Sequence, residues 1–275
     1  MPEASEPTSA ARLTAAIRRV LNQSSLATLA TLVASAHGAG AKLLVEEDGA
    51  RTGTLGDEAL DEAAARRSIA FLSSRAEAAT QFVREFAPEL ENFAAARIMF
   101  ERIEPEPRLV ICGAGHVGAS LARLARLLGY NTTLIDDRAD FVTRERFPDE
   151  GIELIAAESW TGAVRAAVGA GRNVSVAVVT RGHNEDEECM RAVLETRPDY
   201  VGLIGSRRRT NIVLERLKEA GVDESLLREV RAPIGLDIGA VSPEEVALAI
   251  LAEIVAGRRG GTGASLSAWR REKQG

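Results

Sequence analysis

Only two cysteines, Cys112 and Cys189, occur in 275 residues. They lie far apart with no C-x-x-C spacing, which argues against a disulfide framework or a thiolate zinc site and fits the cytoplasm. Net positive charge is also lacking. The 34 Lys and Arg against 40 Asp and Glu leave a formal charge of −6 and a pI near 5.4, so the basic face that a general nucleic-acid binder needs is missing. No apolar run approaches the ~20 residues of a membrane span. The opening segment is rich in Pro, Glu and Ser rather than signal-like, and no internal repeat is evident.

What remains is an ordinary globular composition, 45% hydrophobic and 27% charged, with room for two domains or one large one. The pattern predicts a helix at 11–22, strands at 26–35 and 41–47, an Asp48-Gly49 hairpin turn into a strand at 50–55, and a helix over 57–74 that residues 71–89 extend or break. A strand at 96–103 closes this region. Glu104-Pro105-Glu106-Pro107 is the expected linker, since two prolines exclude regular structure. The expected domains are therefore 1–104, smaller and α+β, and 105–275.

From Arg108 the rhythm becomes strand, helix, strand. Leu109–Cys112 runs into Gly113, Gly115 and Gly118 in the spacing G-x-G-x-x-G. A helix follows with apolar Leu121, Leu124, Ala125 and Leu128 on one face. Gly129 ends it, and a strand at 132–135 runs into Asp136 and Asp137. An acidic residue about 20 positions beyond the glycines, in a β-α-β context, marks a dinucleotide-type anion site. Further strands are expected at 152–156, 174–180 and 200–204, with helices at 160–170, 185–196 and 207–220. A last helix spans 243–256, and the Gly-rich tail after Gly257 is expected to be mobile. The fold class is α/β, a Rossmann-like doubly wound parallel sheet behind a smaller N-terminal α+β domain.

Ligands of such sheets bind at the carboxyl ends of the strands. Gly113, Gly115 and His116 belong there, with Asp136, Asp137 and Arg138 from the second strand. Thr180-Arg181-Gly182-His183 with Asp186 and Gly205-Ser206-Arg207-Arg208-Arg209 join them from later strands. Asp136 is the expected acceptor for a ribose hydroxyl pair, and with Asp137 it disfavours a 2′-phosphate. His183 and Asp186, three apart at a helix start, can share a face and form a His–carboxylate pair. Arginines at the helix start after Ser206 oppose its dipole, so an external anion is the better explanation for them. The loop containing Gly235 and Asp237 suggests close backbone approach to a ligand or to a neighbouring loop. Cys112 reads as a packed residue. Ser242-Pro243-Glu244-Glu245 reads as a capping box.

These segments together resemble the XdhC/CoxI family, the xanthine dehydrogenase accessory proteins of molybdoenzyme maturation. The carrying motifs are Gly113-Ala-Gly115-His116-Val117, Asp136-Asp137-Arg138, Phe147-Pro148, Thr180-Arg181-Gly182-His183 with Asp186, Tyr200-Val-Gly202-Leu-Ile-Gly205-Ser206-Arg207-Arg208, and Pro233-Ile-Gly235-Leu-Asp237-Ile-Gly239 with Pro243-Glu244-Glu245. Upstream, Leu26–Leu29, Gly40–Val45, Asp48-Gly49 and Gly53–Gly56 resemble the family's smaller N-terminal domain. The resemblance implies a carrier rather than a turnover catalyst. It would bind molybdenum cofactor (molybdopterin), support its sulfuration with a cysteine desulfurase, and deliver it to the apoenzyme of a molybdenum hydroxylase of xanthine dehydrogenase or CO dehydrogenase type. The cofactor-binding positions it implies are the motif residues named above, Gly118 included, with no metal ligand and no catalytic residue.

Two segments depart from the family pattern. Ala34–Gly38 stands where the family commonly has Gly-Ser-x-Pro-Arg, and Asp57–Asp61 where it commonly has Gly-Gly-Cys-Leu-Glu. A soft ligand for molybdenum or sulfur and a phosphate contact are thereby lost. Two other readings stay open: an NAD(P)-dependent oxidoreductase using His116 or His183 as proton relay, with NAD slightly preferred and no Tyr-x-x-x-Lys pair visible, and a non-catalytic paralogue acting by partner binding. A homodimer is compatible with the sequence, which fixes no interface.

Overall fold

The computed structural model describes residues 9–35, 38–74, 76–169 and 173–267. The chain divides into two compact units, one up to Pro105 and one from Glu106 onward.

In the first unit, α1 (Ser9–Asn22), β1 (Ala27–Ala34), β2 (Lys42–Glu46), β3 (Arg51–Thr54), α2 (Glu58–Leu72), β4 (Ala78–Phe82) and β5 (Arg97–Ile103) follow in order. The strands form one antiparallel sheet in the order β3-β2-β1-β5-β4. Side chains alternate between faces along a strand, and this sheet uses both. Leu43 and Val45 pack with Leu60, Ala64 and Phe71 of α2, while Leu44 and Ala27 pack with Ala16 and Val20 of α1. Asp48 builds the β2–β3 turn by accepting the Ala50 N–H at 2.9 Å, with Gly49 at φ +89°. Residues 71–89 do not extend the helix. The Ala-rich stretch from Ala78 becomes an edge strand because β5 offers it a hydrogen-bonding partner, and short 3₁₀ turns follow at Val83–Glu85 and Glu91–Phe93.

The second unit runs β6 (Arg108–Cys112), α3 (His116–Leu127), β7 (Asn131–Asp136), β8 (Ile152–Ala156), α4 (Trp160–Val168), β9 (Val174–Val178), α5 (His183–Thr196), β10 (Tyr200–Leu203), α6 (Arg207–Glu219), α7 (Glu224–Glu229) and α8 (Pro243–Arg259). All strand pairs are parallel, in the order β10-β9-β6-β7-β8. That is the Rossmann arrangement, with the first strand at the centre and the direction of winding reversed between β6 and β9. Strands buried on both faces read as continuous apolar runs. Val110, Cys112, Val176 and Val178 face α4, α5 and α6, while Leu109, Ile111 and Ala177 face α3 and α8. Two departures from the sequence reading appear here. Helix α7 is an addition. Helix α8 runs past Gly257 to Arg259 and ends on Gly260 at φ +71°, so the expected tail starts later. No helix among the described residues is long and apolar enough to cross a membrane.

Candidate functional site

The reversal point between β6 and β9 opens into a cleft of about 480 Å³ at the carboxyl ends of the strands. Gly113, Gly115, His116, Val117, Asp136, Arg138, Thr180, Arg181 and Gly205 line it, together with Trp160, Val179, Ile204, Arg209 and Pro243.

The three glycines of the first loop do different work. A Cβ on Gly113 would stand 2.6 Å from the Val179 carbonyl oxygen, and its φ of +114° suits glycine alone. A Cβ on Gly118 would stand 1.8 Å from the Gly113 carbonyl oxygen, so this residue lets α3 press onto the loop and does not line the cleft. A Cβ on Gly115 would meet nothing within 4 Å. The protein itself leaves that space open, and it lies at the start of α3.

Several helices begin at this end of the sheet, and their N-termini differ. Ser159 caps α4 and Ser206 caps α6, the latter accepting the Arg209 N–H at 3.2 Å. Ser242 and Glu245 form a full capping box on α8. Helix α5 has no side-chain cap bond, but the Glu185 carboxylate lies over Gly182, within 2.2 Å of where a Cβ would be. Helix α3 has only Gly115 at its cap position and no capping side chain. Its first N–H groups and positive dipole end therefore face the open space above Gly115, the arrangement that receives a phosphate.

The guanidiniums of the cleft are each held by carboxylates. Arg138 donates Nε to Asp136 Oδ1 at 2.8 Å and Nη2 to Oδ2 at 3.0 Å. Arg181 forks onto Asp137 at 2.7 and 2.8 Å and reaches Glu185 at 3.2 Å. Arg209 donates two N–H groups to Asp186 Oδ2, at 3.1 and 2.5 Å, and Thr180 donates its hydroxyl to Oδ1 at 2.5 Å. Asp186 is completely buried. Burial pushes its carboxyl above the ordinary carboxylate value, and the Thr180 and Arg209 hydrogen bonds only partly offset that.

This geometry revises several expectations. Asp186 hydrogen-bonds Thr180 and Arg209 rather than His183, which stays close enough to act on it electrostatically, and His183 lies outside the cleft lining. Arg207 is exposed and Ser206 is spent on its helix cap, while Arg209 is the arginine of that run that lines the cleft. Asp137, Gly182 and Asp186 hold or flank lining residues without lining the cleft themselves. Gly235 and Asp237 lie outside it. Gly235, at φ +106°, packs against α8, where a Cβ would stand 3.3 Å from the Ile250 nitrogen, and it donates its N–H to Glu253 at 2.8 Å. A neighbouring helix thus explains the close approach. His116 occupies the first position of α3, on the cleft. Trp160 is a lining residue that the sequence reading does not single out, whereas Arg209 belongs to the arginine run already expected at this edge. Phase picks Arg209 out of that run, since it is four and eight residues before the buried Val213 and Leu217.

Among the described residues, no group of three or more His, Cys, Asp or Glu gathers as a metal ligand set. Cys112 and Cys189 are buried neighbours. Burial first, and then the adjoining Cys112, drive the Cys189 thiol far above its usual pKa. In the first unit, Asp57 caps α2 through the Leu60 N–H at 2.9 Å, and Asp61 accepts the Leu55 N–H at 2.6 Å. The segment that replaces the family's cysteine motif is thus engaged in holding its own helix start. Ala36 and His37, in the other departing segment, lie outside the described residues.

A larger cavity of about 950 Å³ opens at the amino-terminal end of the parallel sheet, beside Asn173, Tyr200 and Arg231. Its Arg197, Arg228 and Arg258 sit at the C-terminal ends of α5, α7 and α8, where positive charge complements the helix dipole. None of the motif residues around the glycine loop reaches it.

The comparisons with known proteins agree with this architecture. Residues 109–254 match the XdhC Rossmann domain, and residues 20–84 match the XdhC and CoxI family. The uncharacterized protein YqeB of Escherichia coli (strain K12) is 32% identical over 219 residues, 78% of this chain and 40% of that protein. The molybdenum cofactor insertion chaperone PaoD of the same organism is 27% identical over 156 residues, 56% of this chain and 41% of that protein. The chain thus spans about two fifths of the length of these curated relatives. A crystal structure described as a xanthine dehydrogenase (BH1974) from Bacillus halodurans superposes with a TM-score of 0.50 at 16% identity, covering 93% of this chain and 98% of that one, which speaks for the fold. With a Rossmann-domain match covering more than half of its length and the family's first domain matched ahead of it, this chain belongs to the XdhC and CoxI family.

Proposed function

We propose that this protein is a maturation factor for a molybdenum hydroxylase, which binds molybdenum cofactor in the β6–β9 cleft and delivers it to an apoenzyme of xanthine dehydrogenase or CO dehydrogenase type. The observation that carries the reading is the open N-terminus of α3 over Gly115, in a family whose relative PaoD is named a molybdenum cofactor insertion chaperone.

The donor set suits the phosphate-bearing end of a pterin cofactor. Backbone N–H groups of α3 would take the phosphate, and Arg209, Arg181 and Thr180 would face the rest of the guest from across the cleft. Trp160 and Val179 give an apolar wall for a flat ring. The bound cofactor supplies the molybdenum and its oxo and sulfur chemistry. This chain's residues bind it, orient it and limit its contact with water. Sulfur would come from a separate cysteine desulfurase, because Cys112 and Cys189 are both buried.

The test is titration of the purified protein with molybdenum cofactor, followed by transfer to a cofactor-free molybdenum hydroxylase. Saturable binding that weakens in Arg209→Ala, with faster activation of the apoenzyme, is expected. No saturable binding and no effect on activation would overturn the reading.

A further inference from the structure

We infer that Arg138 is a latch on the ribose position of this Rossmann cleft, so that the cleft accepts a phosphate-bearing ligand with no ribose diol at that point and refuses NAD. The inference rests on reading the cleft as a ligand site, and it names the class of ligand.

Asp136 ends β7, at the place where a dinucleotide-binding domain presents a carboxylate to the ribose hydroxyls. A carboxylate offers about four acceptor positions. All are taken from within the protein. Asp136 Oδ2 accepts the Ala114 N–H at 2.7 Å and Arg138 Nη2 at 3.0 Å, and Oδ1 accepts the Arg138 N–H at 3.0 Å and Nε at 2.8 Å. The side chain is only 1% exposed. Burial alone would raise its pKa, but the Arg138 and Ala114 hydrogen bonds outweigh burial and hold the carboxyl below its ordinary value. A ribose would have to exchange two neutral hydroxyls for a bidentate, charge-assisted fork.

A second set of contacts keeps the fork closed. The Arg138 guanidinium carbon lies 3.4 Å from the centroid of the Phe141 ring, and that of Arg146 lies 4.5 Å from it. Arg146 donates Nη1 to the Phe141 carbonyl at 2.9 Å and Nη2 to the Ala114 carbonyl at 3.4 Å. The arch over Asp136 is therefore anchored to the 3₁₀ turn at Ala139–Phe141 and to the glycine loop together. Swinging Arg138 aside loses both its ion pair and its stacking partner.

The experiment is calorimetric titration of the full chain with NAD and ADP-ribose, comparing the unaltered protein with Arg138→Ala, Phe141→Leu and the double variant Arg138→Ala with Asp136→Asn. The unaltered protein should show no saturable binding of these nucleotides. Arg138→Ala, which uncovers two acceptor positions, should gain NAD affinity by about tenfold or more, the equivalent of one hydrogen bond restored. The Asp136→Asn addition should remove the gain. Phe141→Leu should show part of it, and it serves as the deciding variant if Arg138→Ala does not fold. Micromolar NAD binding by the unaltered protein, or no gain in any folded variant, overturns the latch. A parallel titration with molybdenum cofactor separates the two readings: failure there alone defeats the cofactor assignment, and tight NAD binding alongside cofactor binding defeats only the latch.

Discussion

Arg209 and Asp186 allow a prediction whose two halves differ in size. Asp186 is sealed from solvent, whereas the Arg209 side chain is 27% exposed. Arg209→Met removes the guanidinium and keeps an aliphatic stem of similar reach, leaving a buried carboxylate with only the Thr180 hydroxyl. Breaking a buried pair costs about 3–5 kcal/mol. The surviving Thr180 bond and the partial exposure of Arg209 place this case near the lower end, roughly 3 kcal/mol, or a fall of roughly 6–12 °C in Tm for a unit of this size. Asp186→Asn strands the arginine instead, which can turn to water, so about 1 kcal/mol is expected. The pH dependence has a fixed sign. The Asp186 carboxyl is already raised in the folded protein, and loss of Arg209 raises it further. Stability contributed by a raised carboxyl is present below its unfolded pKa and is lost as pH rises through the folded one. The deficit of Arg209→Met should therefore be larger at neutral pH than in acidic buffer, where the carboxyl is protonated. Urea unfolding followed by far-UV circular dichroism at both pH values measures it. A deficit that does not change with pH, or a greater loss from Asp186→Asn than from Arg209→Met, would refute the reasoning.

The glycines give an opposed pair. Gly118→Ala forces a methyl to within 1.8 Å of a backbone oxygen and should cost about 3 kcal/mol or more by thermal melting. Gly115→Ala should melt within about 0.5 kcal/mol of the unaltered protein yet weaken cofactor binding, because its methyl enters the space above α3. Equal losses of stability in the two variants would sink the division of roles. Ser242→Ala breaks the capping box of α8 and should cost about 1 kcal/mol, readable as a lower urea midpoint with an unchanged slope.

The parallel sheet was largely legible because its strands carry their own signal. Ile152–Ala156 and the run through Val176 and Val178 are apolar enough to stand out, and glycines or capping serines mark the neighbouring helix ends. Strand β4 was hidden because Ala78-Ala79-Thr80-Gln81 has little local preference for a strand and is placed by β5. Helix α7 is six residues long and held by Leu227 in the core, so no periodicity could develop. At the site, the sequence showed which loops meet but not which charges pair. Asp186 sits one turn before Cys189 and Met190 on the buried stripe of α5, a position that turns it inward toward Thr180 and Arg209. The saturation of Asp136 depends on Arg138 folding back onto Phe141, a choice of rotamer that spacing does not encode.

Each cleft guanidinium already has a counter-charge within the protein, with Asp136, Asp137, Glu185 and Asp186 matching Arg138, Arg181 and Arg209. A guest held mainly by peptide N–H groups sheds few condensed ions on arrival, so raising the salt concentration loosens it far less than it would a polyanion on bare arginines. On the proposed reading, abundant polyphosphates would find no concentrated positive field to exploit, and the pocket would discriminate by shape rather than by charge.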